Sequence, residues 1–480
     1  MRKKKYLYIL LIAACAGFAC NKILDVTPRQ SIDSSIALES PQAIEAALNS
    51  VYAYLRPASQ YGRDLIAIPE LLSDNAAHTN NPNDLYSHSR NLPGAHINNW
   101  QSSYYAINGI NNILKVLEEG TVPGITDEFR ERIAGQAYFL RALFYHNLMR
   151  IYAYDPTAIV EDANRGGVPL ITTPTLKLDD LKYPSRAPIH EVYALIYEDL
   201  EQAIALLDGK TIGGNDPEFY ASSAAAAALL SRVALYNGDY ERVVTEASNV
   251  LAVHAAKFQS KDNYISSWRS RKHPESLFEL VYLAADNIGV NESLRATFTS
   301  RNSLNSATFA SRGNVVVSDD LMSKYAANDV RRGLIINGLG RNNGKNEMTK
   351  FLSRSGTPNL DNVPVIRVSE MYLNRAEAYA RMIPAQEDLA RMDLNRIRER
   401  AGLAPVDATV TGQALLDEIL LQRRLEFAFE GHRFFDLKRL GMDIIKPSGD
   451  VKFEEYRILA PIPYSETQRN GNLEQNFGYE

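Results

Sequence analysis

Residues 225–251 read AAAALLSRVALYNGDYERVVTEASNVL, and this stretch decides the fold class. Leu229, Leu230, Val233 and Ala234 fall on one stripe at helical spacing. Asn237-Gly238 interrupts the stripe, and glycine is free to take the left-handed conformation that ends a helix. Asp239 then stands where its carboxylate can cap a second helix. In that helix Tyr240, Val243, Val244, Ala247, Val250 and Leu251 again share a face. The alanines at 224–228 let two backbones approach closely. This is a helix–turn–helix unit of the tetratricopeptide kind, which needs neighbouring pairs to bury its remaining apolar surface.

Such neighbours are legible on both sides. The spacing predicts helices over Trp100 to Glu119, from Thr126 to about Tyr152, and over Pro188 to Leu207. Further on it predicts Arg367 to Met382, a partner ending at Gly402, and a helix from about Gln413 to Phe429. Strand signals are short: Ser276 to Tyr282, Val315 to Ser318 and Arg457 to Ala460. The expected class is mainly α: tetratricopeptide-like helix pairs form a scaffold, with long loops and a few short β-strands. The long non-periodic stretches are 73–99, 155–187, 284–314 and 333–364, and loops of this length inside a compact chain usually carry function.

The N-terminus reads as an address. Four basic residues precede the apolar run YLYILLIAA (6–14), then small residues lead to Cys20. The run is short for a membrane-spanning helix, and no later stretch offers about 20 apolar residues in a row. A cysteine closing such a signal has the form of a bacterial lipoprotein acceptor. Ile12-Ala13-Ala14-Cys15 fits a strict lipobox better than Gly17-Phe18-Ala19-Cys20, so the residues alone leave two candidates. Cleavage before Cys20 removes Arg2, Lys3, Lys4 and Lys5 and takes the formal charge from −5 to −9. With no basic excess, nucleic-acid binding has no support. Both cysteines of the 480-residue chain lie at this end, which excludes a disulfide-stapled fold and a cysteine zinc site.

Catalytic patterns are missing. His190-Glu191 lacks the second histidine of a zinc-protease helix, and there is no G-x-S-x-G or P-loop. The charged run Arg423, Arg424, Glu426, Glu430, His432, Arg433, Asp436, Lys438 and Arg439 reads as a structural salt-bridge lattice, with His432 a helix-end residue. A glycosidase built on two carboxylates is the alternative of a different class. For binding, a sugar presents a C–H face to an aromatic ring and hydroxyls to amides and charges. Loop 73–99 offers Asn83, Tyr86, Arg90, Asn99 and then Trp100, whose competing reading is the buried first turn of a helix. Loop 284–314 offers Phe298, Arg301 and Phe309, and Trp268 lies between Tyr264 and Arg269. No metal or cofactor is expected.

Taken in order, the blocks resemble the SusD/RagB family of Bacteroidota. They are ILDVTP (23–28) after Cys20, GQAYFLRALFYHNLMRIYA (135–153), GGVPL (166–170), the 225–251 unit, ESLFELVY (275–282) and SDDLMSKYAANDVRR (318–332). IRVSEMYLNRAEAYAR (366–381), LNRIRERAGL (394–403), LQRRLEFAFEGHRFFDLKRLG (421–441) and PIPYSETQRNGNLEQNFGY (461–479) complete the series. The resemblance favours Cys20 as the lipidated residue. It divides the chain into a signal (1–19), an N-terminal region (20–260) and a C-terminal region with ligand loops (261–480). It implies a non-enzymatic, surface-exposed lipoprotein anchored in the cell outer membrane. Such a protein binds oligosaccharide or peptide and serves a SusC-like TonB-dependent transporter. With only two tryptophans the founder's starch assignment does not carry over.

Overall fold

The structure is a computed structural model that describes residues 38–79, 85–352, 354 and 356–480. The 1–19 signal, Cys15, Cys20 and Asn83 therefore lie outside the described residues. The fold is mainly α, built from antiparallel helix pairs. Helices Trp100–Glu119 and Asp127–Tyr152 form one pair, and Ile189–Leu207 packs along the second of them. Ser223–Asn237 and Tyr240–His254 follow, then Val368–Arg381 and Glu387–Ala401, with Gly412–Glu426 against both. The 127–152 helix is the axis of the N-terminal half. From Ile133 to Tyr152 every residue is buried except Tyr138, which is half-buried. Gly135 permits this: a methyl group there would meet Leu207 Cγ at 2.6 Å. Across the same contact Arg141 donates Nε and Nη2 to the Asp199 carboxylate at 2.8 and 2.7 Å.

The turn read from 237–239 has the expected chemistry. Gly238 sits at φ +74°, and the Asp239 carboxylate accepts the Arg242 N–H at 3.1 Å. Asp239→Ala should therefore cost about 1 kcal/mol, while Asp239→Asn, which keeps the acceptor, should cost less. Urea unfolding midpoints of the two variants check this.

Strands form three two-stranded antiparallel ladders among the described residues. β1 (Ala76–His78) pairs with β3 (Val315–Val317). β2 (Ser276–Leu280) pairs with β6 (Val363–Arg367), and β4 (Ile335–Asn337) with β5 (Asn346–Met348). Three local expectations are corrected. Arg457 to Ala460 is not a strand: residues 456–458 form a 3-10 turn, and the segment has no strand beside it. The helix expected to reach Phe429 ends at Glu426, because Phe429 takes φ +63° and turns the chain. The 333–364 stretch, read as irregular, contains the β4–β5 hairpin and the start of β6.

The charged run is structural, and it lies deep. Arg367 donates to Glu430 and Glu275 at 2.8 Å and to Glu426 at 3.2 Å. Arg400 pairs with Glu275 and Glu426, Arg331 with Asp329, and Lys350 with Glu430. The four cations balance the four carboxylates, and all eight are buried. Burial alone would raise the Glu426 carboxyl, but Arg400, Arg367 and Arg331 outweigh it and hold that carboxyl well below its usual range. Nearby, Arg423 and Arg439 share Asp436, and Arg439 also reaches Glu377 at 2.8 Å. His432 lies stacked on Phe427, with ring centroids 4.7 Å apart.

Candidate functional site

The β1–β3 ladder brings the two sequence-predicted loops together. His78 stands opposite Val315, and Thr79 N donates to Asn314 O at 3.0 Å, so the chain just before 85–99 meets the end of 299–314. The β4–β5 hairpin joins them as a third wall. Its Glu347 is fully buried and accepts Ser300 N at 3.0 Å and Asn342 Nδ2 at 2.8 Å. Asn342 Nδ2 also donates to the carbonyls of Arg312 and Gly313. One buried side chain thus fixes the hairpin tip against the 299–313 loop.

Of the candidate residues, Tyr86, Arg90, Arg301 and Phe309 reach this surface. Tyr86 is half-buried, its ring edge-on to His78 at 5.5 Å, and the exposed Arg90 guanidinium lies 6.0 Å from its centroid. Phe309 is 39% exposed, with the Arg341 guanidinium 5.7 Å from its centroid. Gly340, at φ +58°, makes that approach possible, since a Cβ there would meet the Phe309 ring at 2.8 Å. Arg301 acts as a brace: it donates to Ser306 O at 2.8 Å and Asn337 O at 3.0 Å, tying its loop to β4.

The other four do not reach it, and each has a packing reason. Trp100 is 3% exposed, wedged between Tyr104 and Tyr152 with centroids 5.0 and 4.9 Å away. Asn99 is buried and donates to Gln60 Oε1. Phe298 is fully buried against Phe429 at 4.9 Å. Trp268 is fully buried under the ionic lattice, with Lys350 Nζ 4.7 Å and the Arg367 guanidinium 5.3 Å from its ring. Arg341 and His78 are what sequence reading missed. Arg341 sits in the 333–364 stretch already marked as non-periodic, so loop length was its available signal.

The 85–99 loop is held from beneath. Asn91, at φ +46°, donates Nδ2 to Leu72 O, and Ser448 Oγ donates to Ser89 O at 2.8 Å. His96 is buried within it, edge-on to Phe434, its Nδ1 accepting the Ile97 N–H at 3.0 Å. Burial, with smaller contributions from His88 and Lys438, pushes the imidazole down to about 3. Because the folded value lies below the unfolded one, the stabilisation is complete above about pH 6.5 and is lost as pH falls toward 3. Between pH 7 and 5 this group should cost the fold about 2 kcal/mol. His96→Phe should show that much less acid loss over the same range in urea unfolding midpoints.

No described helix is long and apolar enough to cross a membrane. A family model described as "Starch-binding associating with outer membrane" matches residues 22–235, and one described as "SusD family" matches 337–446. The chain is similar to "SusD-like protein P2" of Formosa agariphila at 24% identity, across 99% of each chain. It is similar to the starch-binding protein SusD of Bacteroides thetaiotaomicron at 35% identity, over 27% of this chain and 24% of that one. A solved SusD superfamily protein of Bacteroides thetaiotaomicron superposes with a TM-score of 0.79 at 25% identity, covering 91% of this chain and 99% of that chain. Two SusD models match separate parts of the chain in order, and the likeness in sequence and fold runs almost its full length: the chain belongs to the SusD/RagB family.

Proposed function

We propose that this protein captures carbohydrate at the outer membrane, without cleaving it, and passes it to a SusC-like TonB-dependent transporter. In this reading it is surface-exposed and held by a lipid on Cys20. One observation carries the capture reading: loops 85–99 and 299–314, joined across β1–β3, present Tyr86 and Phe309, each with an arginine beside its ring. A ring face for sugar C–H groups beside N–H donors for hydroxyls is the composition a sugar site needs. The relatives named as starch-binding support a carbohydrate over a peptide. Segments 85–99, 299–314 and 335–348 hold a single carboxylate, Glu347, buried and already accepting two hydrogen bonds. Those segments therefore offer no glycosidase pair.

The test measures binding to a panel of oligosaccharides by calorimetry, with Tyr86→Ala and Phe309→Ala as variants. Each should weaken binding up to about tenfold, as one stacked ring contributes modestly, with little change in thermal midpoint. Binding unmoved by both variants would remove this face from the reading. Hydrolysis products in the same samples would refute non-enzymatic capture. Mass spectrometry of the N-terminal peptide tests acylation, and co-purification with a TonB-dependent transporter tests the partner.

A further inference from the structure

Most arginines in this protein have a carboxylate partner, yet one surface region departs from that rule. The 299–313 loop and the 338–345 hairpin tip carry Arg301, Arg312, Arg341 and Lys345, with no acidic residue in either segment. Arg312, Arg341 and Lys345 are exposed, Arg301 half so. None makes an ion pair with a described carboxylate. The hydrogen bonds of Arg301 go to the neutral carbonyls of Ser306 and Asn337, and its Nε–H meets no acceptor. Arg341 lies over the Phe309 ring.

These cations belong to one place. Asn342 binds the Arg312 carbonyl at 3.0 Å, Lys345 N donates to Asn342 O at 2.8 Å, and Arg301 Nη2 reaches Asn337 O at 3.0 Å. The nearest carboxylate in sequence, Glu347, is buried beneath and occupied by Ser300 and Asn342. The whole chain meanwhile is acidic, with 57 Asp and Glu against 52 Lys and Arg. A local cluster of one sign on a molecule of the opposite sign selects ligands by charge. Guanidinium groups also match the planar or tetrahedral oxygens of carboxylates and sulfates better than they match single hydroxyls.

Resting on the carbohydrate reading above, we infer that the ligand is an anionic glycan, whose carboxylate or sulfate groups bind at Arg312, Arg341 and Lys345 beside the Phe309 ring. Uronate and sulfate share this chemistry, and the measurement separates them.

Calorimetry on the full chain compares malto- and cello-hexaose, which are neutral, with hexagalacturonate and a sulfated carrageenan hexaose. At least one anionic oligomer should bind at least about tenfold more tightly than either neutral one, and the Arg312→Gln/Arg341→Gln double variant should lose about that factor. Raising salt from about 20 to about 200 mM should weaken the anionic ligand several-fold. The exposed, remote Lys115→Gln serves as a control and should change nothing. Because Arg312 and Arg341 are exposed and make no ion pairs, thermal midpoints of the double variant should match the parent. Neutral oligomers binding as well as the anionic ones would overturn the charge inference and leave the carbohydrate reading standing. Binding by none of the four would overturn both. Equal loss in Lys115→Gln and the double variant would mark diffuse attraction and overturn the site.

Discussion

Arg367→Ala should destabilise the fold by about 3–5 kcal/mol, and soluble yield should fall with it. The size follows from what is left behind. Arg367 touches three carboxylates, Glu275, Glu426 and Glu430, in a cluster shut off from water. Removing it leaves four buried carboxylates facing three cations, and a charge without a partner in the interior costs several kcal/mol. Arg367→Met restores most of the volume but not the charge, so it should be nearly as damaging. Removing an exposed pair such as Arg130–Asp127 should cost no more than about 1 kcal/mol. Chemical unfolding of the three variants gives the comparison. An Arg367→Ala midpoint close to that of the parent would mean the cluster is wetter than its burial indicates.

Trp100→Ala should cost about 3–5 kcal/mol, and the protein that remains folded should bind ligand as the parent does. The indole fills the space between Tyr104 and Tyr152 in the first turn of its helix and is 3% exposed, so its loss leaves a buried cavity. Tyr86→Ala should give the opposite pattern: stability within about 0.5 kcal/mol, as for other surface positions, and weakened binding. The contrast separates a core aromatic from a contact aromatic fifteen residues or fewer away in sequence. A Trp100→Ala protein of parental stability with lost binding would reverse the assignment.

The helices were legible because their signals are local. Leu229 to Leu251 carries period, cap and turn within one window, and the structure places Gly238 and Asp239 as the pattern requires. The site was legible only as loops. Whether an aromatic in a polar stretch faces in or out depends on partners far along the chain. Trp268 is buried by Lys350 and Arg367, which lie more than eighty positions later in the chain. Phe298 was buried by Phe429, over a hundred positions later. β1 and β4 are three residues each, too short for any periodicity to register. Arg341 gains its meaning from Phe309, across a hairpin that sequence reading left irregular.

The partners of the early carboxylates also set an order of events during synthesis. Asp155 is buried and meets Lys438 Nζ at 2.7 Å; Asp74 meets Arg433 at 2.8 Å and Arg424 at 3.3 Å. Glu70 accepts Gly431 N at 2.9 Å. A chain made from its N-terminus therefore carries two acids, Glu70 and Asp155, that are fully buried in the finished fold, and a half-buried third, Asp74, before their partners past residue 420 arrive. Contacts of such long separation close last. The N-terminal half should therefore complete its core only once the C-terminal half is present.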